Sequence, residues 1–95
     1  MNERYVIVRT YSAGVFFGYL DSKNGQEVVL KNARRLWYWS GASSLSQLAM
    51  EGVKKPMECK FPCKVDRIEL LQAIEIIDVT EMSKKSIDEV PIWEQ

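Results

Sequence analysis

The stretch RYVIVRTYSAGVFFGYLDSKNGQEVVL, Arg4 to Leu30, decides the fold. Three runs rich in β-branched and aromatic residues, Arg4–Thr10, Val15–Leu20 and Gln26–Leu30, alternate with two turn signals. Such residues suit a pleated, half-buried surface. Tyr11-Ser12-Ala13-Gly14 separates the first two runs. Asp21-Ser22-Lys23-Asn24-Gly25 separates the next two and ends in Asn-Gly, a pair that accepts the positive φ of a tight hairpin. Gly18, inside the second run, marks a bulge. Neither connection is long enough for a helical crossover, so the sheet starts antiparallel and a doubly wound fold is excluded.

Downstream, Lys31-Asn32-Ala33 reads as a break and Arg34–Trp39 (RRLWYW) as a fourth strand. Ser40–Ser44 is a small polar loop. Leu45–Glu51 is helical, with Leu45, Leu48 and Ala49 on one face. Ser44 and Gln47 fit a capping box, and Gly52 is the natural end. Val53–Lys64 carries Pro56 and Pro62 and reads as loop, with a short extended piece around Glu58-Cys59-Lys60. Periodicity leaves Val65–Val79 open between helix and strand. The β-branched density of Ile74, Ile76, Ile77 and Val79 favours strands at Arg67–Leu70 and Ala73–Val79. Thr80 caps a polar helix from Glu81 to about Glu89, and Pro91 stops it. Trp93 pins the tail to the body or to another subunit. The expected fold is α+β, one domain over residues 1–95. Its small, mostly antiparallel sheet of five or six strands can roll into a barrel, with two short helices.

Composition narrows the function. The 95 residues are 46% apolar and 27% charged, the proportions of an ordinary globular domain rather than a disordered or collagenous chain. Thirteen basic and thirteen acidic residues cancel, which disfavours duplex DNA as a partner. The chain has no histidine, which removes Ser-His-Asp and Cys-His nucleophile pairs and His-ligated metals. No run approaches the ~20 apolar residues of a membrane span. The apolar run after Met1-Asn2-Glu3-Arg4 is shorter than the ~7–15 residues of a signal-peptide core, so the expectation is a cytoplasmic protein with no membrane contact. Cys59 and Cys63 supply half of a four-ligand zinc site. They read as reduced thiols, at least one packed as a small apolar group, with no metal.

The candidate site lies in NARRLWYWSGASSLSQ, Asn32 to Gln47. On a strand, Arg35, Trp37 and Trp39 share one face and Arg34, Leu36 and Tyr38 the other. A guanidinium fork matches two phosphate oxygens, so Arg34 or Arg35 is the candidate phosphate partner. The rings of Trp37, Tyr38 or Trp39 can stack on a nucleobase. Gly41 admits a ligand close to the backbone. Ser43 and Ser44 can donate at the helix start, and Lys54 and Lys55 are candidate secondary phosphate contacts. Core packing, surface ion pairs and helix capping explain the same residues one at a time. Their combination is what points to a ligand. The carboxylates Glu69, Glu75, Glu81 and Asp88 are irregularly spaced and offer no acid/base pair. No glycine-rich phosphate loop with its lysine is present.

The runs YVIVRTYSAGVFFGYL (Tyr5 to Leu20) and KNARRLWYWSGASSLSQLAMEGVKKPMECKF (Lys31 to Phe61) resemble a family of small uncharacterised proteins of tailed bacteriophages and prophages. The resemblance runs from Arg4 to Trp93 and is most specific over Asn32–Ala42. It implies an accessory protein made in a bacterial cytoplasm. Analogy with phage sponge proteins then gives the expected function: sequestration of a cyclic nucleotide or related phosphorylated nucleotide, without catalysis or cofactor, by a homo-oligomer. The alternatives are a protein-interaction module that blocks a host protein, with Trp, Tyr and Arg as its hot spot, and a small-barrel binder of single-stranded nucleic acid.

Overall fold

The computed structural model describes residues 4–93. Five strands, β1 (Tyr5–Thr10), β2 (Val15–Asn24), β3 (Glu27–Arg35), β4 (Lys64–Leu70) and β5 (Ala73–Asp78), form one sheet in the order β4-β3-β2-β1-β5. Every neighbouring pair is antiparallel. Helix α1 (Leu45–Glu51) lies between β3 and β4, and α2 (Glu81–Asp88) follows β5. The α+β class agrees with the sequence reading. β4 starts at Lys64, three residues before the expected Arg67. β2 runs on through Asp21–Asn24, so the hairpin turns at Gly25-Gln26 rather than over Asp21–Gly25.

The sheet has to curl. β4 and β5 are its opposite edges, about 19 Å apart if the sheet were flat. Only Leu71-Gln72 joins them, so Leu70 and Ala73 stand at most roughly 11 Å apart. The Ala73 N–H donates to the Gln26 carbonyl (3.0 Å) and the Tyr11 N–H to the Gln72 carbonyl (2.9 Å), which draws the corner together. The two edges do not pair, so the sheet stays open. Inside the curl lie Val6, Val8, Phe16, Val28, Leu30, Ala33, Leu70 and Ala73, contributed by all five strands. On the outer face Ile7 and Phe17 pack under α1 and α2 with Leu36, Leu48, Ala49, Phe61, Ile87 and Val90. β1 and β2 are therefore buried on both faces, which is why their sequences are continuous apolar runs rather than alternating ones. Each such side chain is worth roughly 1.5–3 kcal/mol on burial.

Two further expectations need correction. Lys31-Asn32-Ala33 does not end a strand, and RRLWYW is not a strand of its own. β3 runs through to Arg35 because Asn32 takes φ 49° and forms a bulge. Phe17 pairs with Arg34 and Tyr19 with Lys31, leaving Asn32 as the extra residue opposite Gly18. Asparagine tolerates this left-handed conformation. Glycine suits the pinch at position 18: a Cβ there would stand 3.1 Å from the Ala33 Cα, a tight contact that β3 would have to relieve. Beyond Arg35 the chain leaves the sheet, and Tyr38 keeps one isolated bridge to Lys60.

The start of α2 caps the end of α1. Ser44 Oγ accepts from the Gln47 N–H (3.1 Å), and the Gly52 N–H closes α1 on the Leu48 carbonyl (2.9 Å). The last carbonyls of α1 are then taken by the start of α2. Thr80 donates its N–H to Ala49 and its hydroxyl to Met50, while Ser83 Oγ donates to Leu48. Seven residues are too few for a stable isolated helix, so this joint and the apolar face hold α1 in place.

Near the end of α2, Asp88 gathers two cations. Lys84 Nζ donates to Oδ2 at 3.1 Å, and Lys64 Nζ approaches Oδ1 at 2.9 Å as an ion pair without the alignment of a hydrogen bond. Burial works to raise the Asp88 carboxyl, but the two ammonium groups outweigh it and hold it below the ordinary carboxylate range. A depressed carboxylate stabilises the fold above its unfolded value, and that contribution is lost as pH falls through the folded value. The melting temperature will therefore fall below about pH 4. Asp88→Asn will lower it by a few degrees at pH 7 and flatten the acid-side fall, as thermal melts at stepped pH will register.

Candidate functional site

The end of β3 sends its two arginines to opposite sides, as strand alternation requires. Arg34 points in and is 2% exposed. Its Nε donates to the Pro62 carbonyl (2.9 Å), Nη1 to Ile87 (2.8 Å), and Nη2 to Phe61 (3.0 Å), Val90 (2.7 Å) and Pro91 (3.1 Å). The guanidinium also lies 5.4 Å from the Phe61 ring centroid. Burial pulls its pKa down, opposed by the charge of Asp88. Arg34 is therefore withdrawn from the expected ligand set. Its donors clamp the end of α2, the 61–62 loop and the 90–91 tail into one unit, and no face is left for phosphate.

Arg35 points out. Its guanidinium rests 4.6 Å from the Phe16 ring centroid, and Nη1 reaches the Ala13 carbonyl at 3.3 Å. With Trp37, Pro62 and Trp93 it lines an open cleft of about 460 Å³. A smaller hollow of about 170 Å³, walled by Phe16, Cys63, Val65 and Ile68, adjoins it through Arg35 and Pro62. A third, of about 390 Å³, adjoins it through Arg35 and Trp37 and runs from Ser12 to Val15 and Trp39. Arg35 and Trp37 thus wall the main cleft, whereas Trp39 lines only the third hollow.

The aromatics divide by role. Trp37 is 59% exposed, and its ring meets that of Trp93 at 4.7 Å between centroids and 48° between planes. Trp93 is fixed by its N–H to the Phe61 carbonyl (3.0 Å), so it does pin the tail to the body. Tyr38 is exposed but turned toward Lys60, with which it exchanges two backbone hydrogen bonds. Trp39 is half-buried against the outer core. The Lys60 ammonium lies 5.7 Å from the Trp37 centroid, 5.9 Å from Tyr38 and 5.7 Å from Trp93.

The remaining predicted residues do not line this cleft. A Cβ on Gly41 would stand 2.6 Å from the Lys54 nitrogen and 2.7 Å from that of Lys55, so the close approach foreseen there is made by the chain's own backbone. Ser43 spends its N–H (2.9 Å) and hydroxyl (2.7 Å) on Gln47 Oε1, and Ser44 is the helix cap. The Ser43 donors and the Gln47 N–H are thus engaged within the chain, and neither serine lines the cleft. Lys54 and Lys55 are exposed and absent from the cleft wall. Lys60, Pro62 and Trp93 were missed as site residues; proximity to Trp37, which no local pattern encodes, is what brings them in. Cys59 is buried, its thiol pushed up by burial and contacted by the Ser40 N–H, while Cys63 is exposed.

The cleft wall carries a cation, two indoles and a proline, with a second cation at its border and no carboxylate among its wall residues. Such a set can hold an anion and a flat ring together. Residues 3–87 match the family model described as "Domain of unknown function (DUF6948)", which leaves Trp93 beyond the matched part. No curated protein and no solved structure matches the chain.

Proposed function

Because the chain belongs to the DUF6948 domain family, whose description states no activity, we propose a function from the cleft itself: non-catalytic capture of a small phosphorylated nucleotide. The carrying observation is the exposed Arg35 guanidinium set between Phe16, Trp37 and Trp93. Arg35 pairs with phosphate, and the exposed indole of Trp37 stacks on the base. Stacking on an aromatic side chain is worth ~1–3 kcal/mol per base. The resemblance to small phage proteins supplies the context, in which a cyclic nucleotide signal is the ligand class and sequestration the purpose. An open cleft encloses little of such a ligand, so a second copy covering it belongs to the same proposal. No membrane-spanning helix occurs among the described residues.

The test is a thermal-shift and calorimetric screen against cyclic di- and trinucleotides, cyclic adenosine diphosphate ribose and mononucleotides. Ligand at ~100 times its dissociation constant adds about 2.7 kcal/mol, a shift of several degrees in a domain this size. Arg35→Ala will weaken binding roughly ten- to a hundredfold, the loss of a charge-assisted pair, while the unliganded melting temperature stays within a few degrees of the parent. No shift with any member, or binding indifferent to Arg35→Ala, removes this assignment. The openness of the cleft and the exposure of Trp37 and Tyr38 also favour a second reading, a protein-binding hot spot. Retention of a host protein that Trp37→Ala abolishes, with no nucleotide bound, would select it.

A further inference from the structure

We infer that Lys60 is a second anion-pairing arm of the cleft, seated on aromatic faces and released to a ligand's phosphate when a base takes those faces. The inference rests on the nucleotide reading and names what the site selects: a ring and an anion in one molecule, over either alone. Lys60 is exposed, and its ammonium lies within 6 Å of the centroids of Trp37, Tyr38 and Trp93. Among the described residues it has no carboxylate within ion-pair distance. Two of its three rings, Trp37 and Trp93, also wall the Arg35 cleft.

Three rings around one ammonium form a cation box, the device that recognises quaternary ammonium groups. Here the box is filled by the chain's own cation. Its backbone is tied down, since Lys60 exchanges two hydrogen bonds with Tyr38 (2.7 and 3.3 Å), but its ammonium is held only by ring faces. An exposed cation–π contact is weak beside base stacking and a phosphate pair. A base arriving on Trp37 therefore displaces the ammonium, and the flexible four-carbon stem lets it turn to the phosphate that Arg35 already holds. A neutral base must displace the cation with no such compensation, and a bare phosphate does not displace it.

The experiment combines proton NMR and calorimetry on the full chain. In the wild type the Lys60 ε-methylene protons will be shifted upfield by the rings, and Trp37→Leu will relax that shift. Absence of the shift overturns the inference whatever the protein binds. Adenosine monophosphate will move the same protons back toward their unperturbed position, whereas inorganic phosphate will leave them in place. Lys60→Met, which keeps the apolar stem, will weaken adenosine monophosphate roughly tenfold and leave adenosine unchanged or tighter. Equal loss for both ligands, or loss for neither, overturns the arm while leaving the Arg35 site standing. Failure of the wild type to bind adenosine monophosphate or any nucleotide of the screen overturns the site and the arm together.

Discussion

Arg34→Ala will cost the protein a large part of its stability. The guanidinium donates to five carbonyls, those of Phe61, Pro62, Ile87, Val90 and Pro91, and the substitution takes a donor from each at once. A lost hydrogen bond to a charged group costs ~1.5–3 kcal/mol, and a buried carbonyl left without a donor ~1–3 kcal/mol. These costs do not add fully, because the tail and loop can shift toward water. A loss of about 5 kcal/mol is the reasonable floor. A domain of this length has a total of roughly 5–14 kcal/mol. The melting temperature will drop by at least about 20 °C, and expression of folded protein will fall with it. Arg34→Lys will do almost as badly, since a single ammonium cannot reach carbonyls that surround a planar fork. Thermal and urea melts followed by circular dichroism will show both. The contrast is Arg35→Ala, one residue away, which removes one 3.3 Å bond to Ala13 and leaves the core intact. A drop of less than about 5 °C for Arg34→Ala would mean that the carbonyls find other donors and that the clamp is not a structural necessity.

That pair of neighbours marks the limit of what the chain reveals locally. Alternation along a strand places Arg34 and Arg35 on opposite faces, and the structure agrees. Which face is buried depends on residues 27 to 57 positions further on, and these carry no local signature of their role. Two arginines beside three aromatics look like one binding cluster in the sequence. In the fold, one arginine is a core brace and the other is the ligand candidate. Gly41 misleads in a related way. A glycine after a run of aromatics suggests room for a ligand, and the room is filled by the backbone at Lys54 and Lys55.

The elements set by short-range chemistry were legible. Gly25, at φ 61°, turns the β2–β3 hairpin, Ser44 and Thr80 cap the helices, and the β-branched run from Ala73 extends as strand. Asn32 was misjudged because the same preference for positive φ that ends strands also allows a bulge within one. The curl of the sheet was legible only as a possibility. What compels it is the strand order, with β4 and β5 at opposite edges and two residues between them. Lys60 and Trp93 enter the site through tertiary contact alone.

Gly52→Ala will show how much of the remaining stability depends on the joint between the helices. Gly52 sits at φ 78°, ψ −156°, a region that side-chain-bearing residues reach at a cost of ~1–3 kcal/mol. The added methyl would also fall on the side chain of Ser86, about 2.5 Å from its Oγ. Serine is short, and its hydroxyl is engaged twice, accepting from the Val53 N–H (3.0 Å) and donating to the Val53 carbonyl (3.2 Å). Moving it sacrifices both bonds, at about 1 kcal/mol each. The expected total is about 3–5 kcal/mol, a fall of roughly 15 °C or more in melting temperature. A double-mutant cycle separates the two causes. In a Ser86→Gly background the clash is gone, so Gly52→Ala will cost only its backbone part, about half as much. If the cost is the same in both backgrounds, the strain lies wholly in φ and ψ and α2 has room to move aside. The cleft is untouched in either case, because Gly52 is not among the residues that wall it.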